Sequence, residues 1–449
     1  MAGPAGNPWR SRPYDPAMSA GHPRGHPSSL DLLDLDLLDG AFYVSDPYPT
    51  YARLRDEYPL HRDEANDLWA VSRYDDIVAI EKDKATFVNS GQPADGPRLS
   101  PKTGRGYRPN IPADRSIIGL DDPHHLLRRN VVSRRFTPRA VGGWEDHVRA
   151  TVTGLVDEAL AVPGPDGRCA VEAVSQLAAP LPAQMIGLLL GFGAEMWPKL
   201  QEWSERTIAL GGGPRYHDEA GIVAALEFAG ACAELYESKK PRVLEGCPLD
   251  DVMSVWIDRE AQGPEAMGGH AFGLDEVISD CLLLLDGGAE TTRTVIARTL
   301  VELARRPDQW ALLREGADVE TAVEEFIRWV TPIHNMCRVA AVDVEMHGTT
   351  IRTGDQLLLM YSSANRDPDH FEDPERFDVT RTPNHPLAFG FGTHFCLGAA
   401  LARLEIRSFF EEFVARVAEV RIAPGTKPVE MPNAFVYGLR EARLELVPV

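Results

Sequence analysis

From Leu397 the chain reads LGAALARLEIRSFFEEFVARV, with apolar residues at helical spacing and no breaker, which predicts a long helix. A second helix is predicted from Phe272 to about Arg305, and its flanks are apolar enough to be buried. Its middle, Asp286-Gly287-Gly288-Ala289-Glu290-Thr291-Thr292, is nonetheless polar and glycine-rich. Adjacent glycines cost a helix about 1 kcal/mol each relative to Ala, and a buried Glu-Thr pair adds desolvation. Such a local violation is expected where function overrides stability. Shorter helices are predicted through Tyr51, Leu54 and Arg55, from Tyr74 to Asp83, from Asp121 to Phe136, twice between Val148 and Gly193, and across Ala322–Trp329. The run Pro180–Leu190 is strongly apolar and reads as core. Leu68–Ser72 reads as a short strand, and Pro332 ends a helix and opens an extended segment.

The segments between these elements set the organisation. Residues 1–29 are rich in Pro, Gly and Arg, with few aliphatic side chains, and read as a disordered tail. Residues 30–449 read as a single domain, because no interior linker separates two. The polar stretch from Asn89 to about Gly119 has little periodicity; loops this long inside a compact enzyme usually serve function. Gly211-Gly212-Gly213-Pro214 interrupts the helical pattern between Trp197 and about Glu237 and reads as a hinge.

Charge changes the picture in two ways. A net charge of -21 argues against nucleic acid or an anionic membrane as the main partner. Against that background Arg128, Arg129, Arg134, Arg135 and Arg139 form a basic island, with Arg403 and Arg407 further along the chain. The island reads as a solvated helix face or as a dock for an acidic partner, which salt would weaken. The cysteines, Cys169, Cys232, Cys247, Cys281, Cys337 and Cys396, are scattered with no metal-type spacing. The expectation is a reducing, cytoplasmic setting without a disulfide framework. No membrane span and no secretory signal are expected.

One cysteine stands in an unusual frame. The loop Leu387-Ala388-Phe389-Gly390-Phe391-Gly392-Thr393-His394-Phe395-Cys396-Leu397-Gly398 delivers Cys396 to the start of the long helix. Helix amides and the positive end of the dipole favour thiolate over thiol there. The glycines let a flat ligand approach the backbone, and Phe389, Phe391 and Phe395 offer an apolar pocket. A thiolate so placed suits an axial bond to haem iron. Elsewhere His125 and Arg129 share a helix face, as do Glu325 and Arg328, whose spacing suits an ion pair. Asp286 and Glu290 lie about a turn apart, which should raise at least one pKa.

Phe389, Gly392, Cys396 and Gly398 together resemble the haem-binding loop of the cytochromes P-450, and Gly287-Gly288-Ala289-Glu290-Thr291-Thr292 resembles the signature of that family's central helix. Glu325-x-x-Arg328 and Asp373-Pro374-Glu375-Arg376-Phe377 follow in the family's order, and the resemblance covers roughly residues 30–449. It implies a mainly α cytochrome P-450 fold, a large helical domain with small β-sheets around a buried haem b. It implies monooxygenation with dioxygen as co-substrate, and electrons from a separate ferredoxin and ferredoxin reductase. Cys396 would be the iron ligand, with Phe389 and Gly390 beside the haem. His125, Arg129, Arg338 and His394 would hold its propionates. Glu290 would relay protons and Thr291 would hydrogen-bond bound dioxygen. Glu325, Arg328 and Arg376 would form a buried triad bracing the cysteine loop.

The substrate is less legible. By the same resemblance Leu283, Asp286, Gly287, Ile333, His334, Asn335, Phe435 and Val436 would face a small-molecule organic substrate. The motifs are closest to the actinobacterial sterol side-chain oxidases. Asp286 is a departure from the family pattern; it reads equally as a contact for a basic or hydroxylated substrate group and as a residue that caps a polar neighbour or extends the proton path. The alternatives kept open are a natural-product tailoring oxidase, acting on a peptide, alkaloid or polyketide and able to couple aryl rings, and a haem sensor without turnover.

Overall fold

The structure is a computed structural model that describes residues 35–90, 116–247 and 250–449. The proposed tail at 1–29 and most of the polar loop at 89–119 lie outside the described residues. The described part is mainly helical, with four small sheets.

The predicted second helix runs through the middle of the molecule, as Leu274–Leu285, a π-helical turn at Asp286–Glu290, and Thr291–Arg305. Its C-terminal part is buried nearly all round: Val295, Ile296, Leu300 and Leu303 pack with Phe326, Phe409, Phe410 and Phe413. Its N-terminal part places Val277, Cys281 and Leu285 in a second core with Trp203, Phe228 and Trp256. The glycines explain how the polar turn is accommodated. A Cβ at Gly288 would come within 2.2 Å of Ile186, whereas Gly287 faces open space. The turn frees a carbonyl, and Thr291 Oγ1 donates to Gly287 O at 2.6 Å.

The helix Ala399–Arg416 begins three residues after Cys396, so the cysteine sits in the preceding loop. It packs against the helix Glu145–Leu160 and against Val319–Val330, which carries Glu325 and Arg328. A five-stranded sheet orders Leu60–Asp63, Leu68–Val71, Gln356–Met360, Asn335–Ala340 and Phe87–Val88. Its Arg338↔Leu357 register carries Arg338 to the edge of the interior cavity described below.

By length and composition alone Ala173–Leu190 is apolar enough to span a membrane, but 72% of it is buried inside the fold. Leu181, Met185, Ile186 and Leu190 belong to the two cores, which accounts for the hydrophobic run.

Candidate functional site

Cys396 and the polar turn of the central helix line one cavity of about 240 Å³. The cysteine comes up from the glycine loop. Gly390 and Gly392 take φ of +67° and +70°, a region side chains disfavour, and Cys396 N–H donates to Phe389 O at 2.9 Å. Burial pushes the Cys396 thiol above its usual pKa, while the Gly398 amide, Arg129, Arg403 and the Ala399 amide pull it down. The helix-start amides thus act on the thiol in the direction expected, against the opposing effect of burial. Of the three aromatic residues only Phe389 lines the cavity; Phe391 and Phe395 are largely exposed.

Across the cavity stand Leu283, Leu284, Gly287, Gly288, Thr291 and Thr292. Glu290 points elsewhere. It is fully buried, meets Arg293 Nη2 at 3.1 Å, and Arg293 in turn lies 3.8 Å from Glu205. Burial raises the Glu290 pKa to about 7, opposed by Arg293 and assisted by Glu205. Asp286 is also raised to about 7 by burial; its bond from Thr207 lowers it and Glu290 raises it. Asp286 does not line the cavity: its Oδ1 accepts the Thr207 hydroxyl at 2.5 Å. Capping of a polar neighbour is therefore what the structure records for Asp286.

Two arginines and two histidines stand at the cavity rim. His125, Arg129, Arg338 and His394 all line it. His125 stacks on His394 at 3.9 Å, and its Nδ1 lies 3.2 Å from Asp122. His125 Nε2 is buried with no hydrogen-bond partner among the described residues. Burial lowers the His125 pKa, with Asp122 opposing. Arg129 donates to Phe395 O at 2.6 Å, and Arg338 pairs with Glu81 at 2.8 Å.

Four other expected pocket residues are not in the cavity wall, while Ile333 is. His334 packs between Tyr43 and Tyr437, with Nδ1 3.1 Å from Ser362 Oγ. Asn335 Nδ2 donates to Tyr43 Oη and Ala434 O. Phe435 and Val436 belong to a small cluster with Ile208 and Met431, behind Ile333. The polar pair is drawn away from the cavity by the segment from Ala434 to Tyr437: His334 N–H donates to Phe435 O at 2.8 Å, and the Asn335 amide is held by Ala434 O.

The brace is also rearranged. Arg328 makes a bidentate pair with Glu325 at 2.7 and 2.8 Å. The third side chain reaching Glu325 is Arg381, at 3.1 Å, and not Arg376. Arg376 is 60% exposed and contributes its carbonyl to Arg328, 3.1 Å away. The basic island is thinner than its sequence. Arg128 is buried on Asp280 at 2.5 Å, Arg403 pairs with Glu324, and Arg407 meets Glu145 and Glu411. Arg134 and Arg139 are exposed, beside the Pro138–Gly142 helix that packs on the cysteine helix.

Three cavity-lining acids escaped the sequence reading: Glu81, Asp280 and Glu405. All are buried, and burial raises the pKa of each, Asp280 to about 6. The available signal was an acid on an apolar helical stripe, as with Glu81 after Ile77 and Ile80. Asp280 is satisfied at both oxygens, by Arg128 and by the Ile117 amide at 2.7 Å.

A thiol at one wall, backbone without side chain at Gly390, Arg129 and Arg338 at the rim and an unpartnered His125 Nε2 fit a flat porphyrin bearing two carboxylates. Comparison with known proteins agrees. A family model described as Cytochrome P450 matches residues 234–446. The chain is 35% identical to a steroid C26-monooxygenase of Mycobacterium tuberculosis, over 92% of this chain and 98% of that one. It is 32% identical to the linalool 8-monooxygenase of Pseudomonas putida, over 90% and 96% respectively. A crystal structure of CYP109E1 from Bacillus megaterium in complex with testosterone superimposes with TM-score 0.75 and 27% identity, covering 89% of this chain and 97% of that one. The chain belongs to the cytochrome P450 family, the haem-thiolate monooxygenases that use dioxygen, and has that family's mainly α fold.

Proposed function

We propose that this enzyme hydroxylates a largely apolar substrate of steroid dimensions, with electrons from a separate ferredoxin and its reductase. The observation that carries the reading is the cavity wall above Cys396: Leu283, Leu284, Ile117, Ile186, Ile333 and Met336. The acid on that wall, Asp280, is already neutralised by Arg128, so the cavity does not call for a cationic substrate. The names of the relatives, a steroid C26-monooxygenase and a testosterone-bound neighbour, support the same class.

Cys396 would hold haem by its iron, and the bound group would supply one-electron and dioxygen chemistry there. His125, Arg129, Arg338 and His394 would hold its carboxylates, and Phe389 and Gly390 would shape its bed. Thr291 places a hydroxyl on the cavity side of the π turn. Glu290, with a pKa of about 7, both takes and releases a proton at neutral pH. Arg293 and half-exposed Glu205 connect it to solvent, and Thr291 is the next residue toward the cavity. Glu325, Arg328 and Arg381 keep the cysteine loop in place. Arg134 and Arg139 offer an acidic ferredoxin its contact on the side of the cysteine helix.

The test is a spin-state titration of the ferric protein against a sterol enone, an aromatic peptide and an alkaloid amine. A tight high-spin shift with the sterol alone is expected. A shift only with the peptide or the amine would move the assignment to natural-product tailoring.

A further inference from the structure

Glu81 stands in the last turn of the helix Tyr74–Lys82 and is buried against the cavity, its side chain 1% exposed. Oε1 takes both of its strong bonds, from Arg338 Nη2 at 2.8 Å and from Tyr361 Oη at 2.6 Å. Oε2 is buried and makes no hydrogen bond of normal geometry among the described residues, although the Phe391 amide stands near the carboxyl. The loop that carries Cys396 passes directly over this side chain. A Cβ at Gly390 would stand 3.5 and 3.9 Å from the two Glu81 oxygens, and one at Gly392 would meet Glu81 O at 2.6 Å.

This arrangement raises a question of charge. Arg338 is one of the cations that face a haem carboxylate. If Glu81 were ionised, Arg338 would be neutralised before haem bound, and two carboxylates would compete for one guanidinium. A buried oxygen short of partners, at the wall of a cavity that would hold an anionic group, is best used as a donor. We propose that Glu81 is an additional haem-edge residue that stands as the neutral acid, donates from Oε2–H to a haem carboxylate and shares Arg338 with it. Burial supports the neutral form; Arg338, the Tyr361 hydroxyl and the Phe391 amide oppose it. Arg338, Tyr361 and the Phe391 amide face the carboxyl from neighbouring segments; on its own helix Lys82 turns away, over the Phe391 ring. Loss of the Glu81 proton adds negative charge beside the haem and favours the ferric state, so the reduction potential falls as pH rises.

The inference rests on Arg338 as a carboxylate partner and is independent of the substrate. The experiment measures the reduction potential of the substrate-free holoenzyme against pH, in the native protein and in Glu81→Gln. The amide keeps the size, the acceptor and a donor, so haem is retained, but it has no proton to lose. The native potential should fall with pH and the Glu81→Gln potential should stay flat. The redox-difference infrared spectrum should show a protonated-carboxyl band that Glu81→Gln lacks. A native pH slope in Glu81→Gln, or persistence of that band, overturns the proposal. Arg338→Gln separates the two readings. Haem release at least about tenfold faster keeps Arg338 at the haem edge whatever Glu81→Gln does. Native retention in Arg338→Gln removes Arg338 from that edge and the Glu81 proposal with it.

Discussion

Glu325 and Glu290 are both fully buried glutamates with an arginine three residues further along the same helix, yet the fold treats them in opposite ways. Glu325 accepts five hydrogen bonds, from Arg328 twice, Arg381, Asn384 and the Asp378 amide. Arg328 is equally complete, donating onward to the carbonyls of Asn365, Pro374 and Arg376. Glu290 has one ion contact to Arg293 and neither oxygen has a hydrogen bond of normal geometry among the described residues. A buried charge with every valence met is a fixed brace. A buried acid left short of partners is held near the point of proton exchange, and its pKa of about 7 follows from that shortage.

The largest effect should come from opening the brace. Arg328→Leu leaves Glu325 buried with its principal cation gone, an arrangement that costs about 3–5 kcal/mol. Thermal unfolding and haem content should both drop sharply. A variant with native melting temperature and full haem would show that the cluster is not a brace.

Glu290→Gln should behave in the reverse manner. The melting temperature should hold, because an amide satisfies a buried, underpaired site at least as well as an acid does. Turnover should fall by about 10²-fold, the usual contribution of a positioned proton donor. The sign of the pH dependence follows from the acid form being the donor. Above about pH 7 the native enzyme loses that form, so its turnover declines as pH rises, while Glu290→Gln stays low and flat. Turnover coupled to product, measured with a surrogate reductase across pH, decides this. A native rate in Glu290→Gln removes Glu290 from the proton path.

The contrast also explains what the sequence could disclose. Cys396, the glycine frame and the loosened central helix were legible because local spacing sets them: φ at Gly390 and Gly392, and the close approach of Ile186 to Gly288, are decided within a few residues or by one contact. Partner choice was not legible. His334 and Asn335 lie next to Ile333 and Met336, and only the strand pairing and the segment from Ala434 to Tyr437 decide which of them meet the cavity. Asp286 could be placed on a helix face by counting, but Thr207, which takes its bond, is 79 residues away. Glu81, Asp280 and Glu405 could be placed on buried stripes, while what they face depends on how helices cross.

The same limit produced the exchange of Arg376 for Arg381, and it gives the smallest test. Both arginines lie in an irregular segment with no helical or strand period to orient them, so a motif names the segment without naming the side chain. In the fold Arg381 Nε binds Glu325 Oε2, and its guanidinium also holds the carbonyls of Glu372, Asp373 and Arg376. Arg376 offers solvent a side chain whose nearest acid, Asp378, is 3.7 Å away. Removal of the buried charge-assisted contacts should cost about 1–3 kcal/mol, whereas exposed pairs contribute about 0–1 kcal/mol. Arg381→Gln should therefore lower the denaturation midpoint and speed haem loss, and Arg376→Gln should leave both close to native. The two variants change the same charge five residues apart, so a difference between them isolates placement from charge. Equal destabilisation by the pair would mean that Arg376 turns inward in solution and joins the brace as a further side chain.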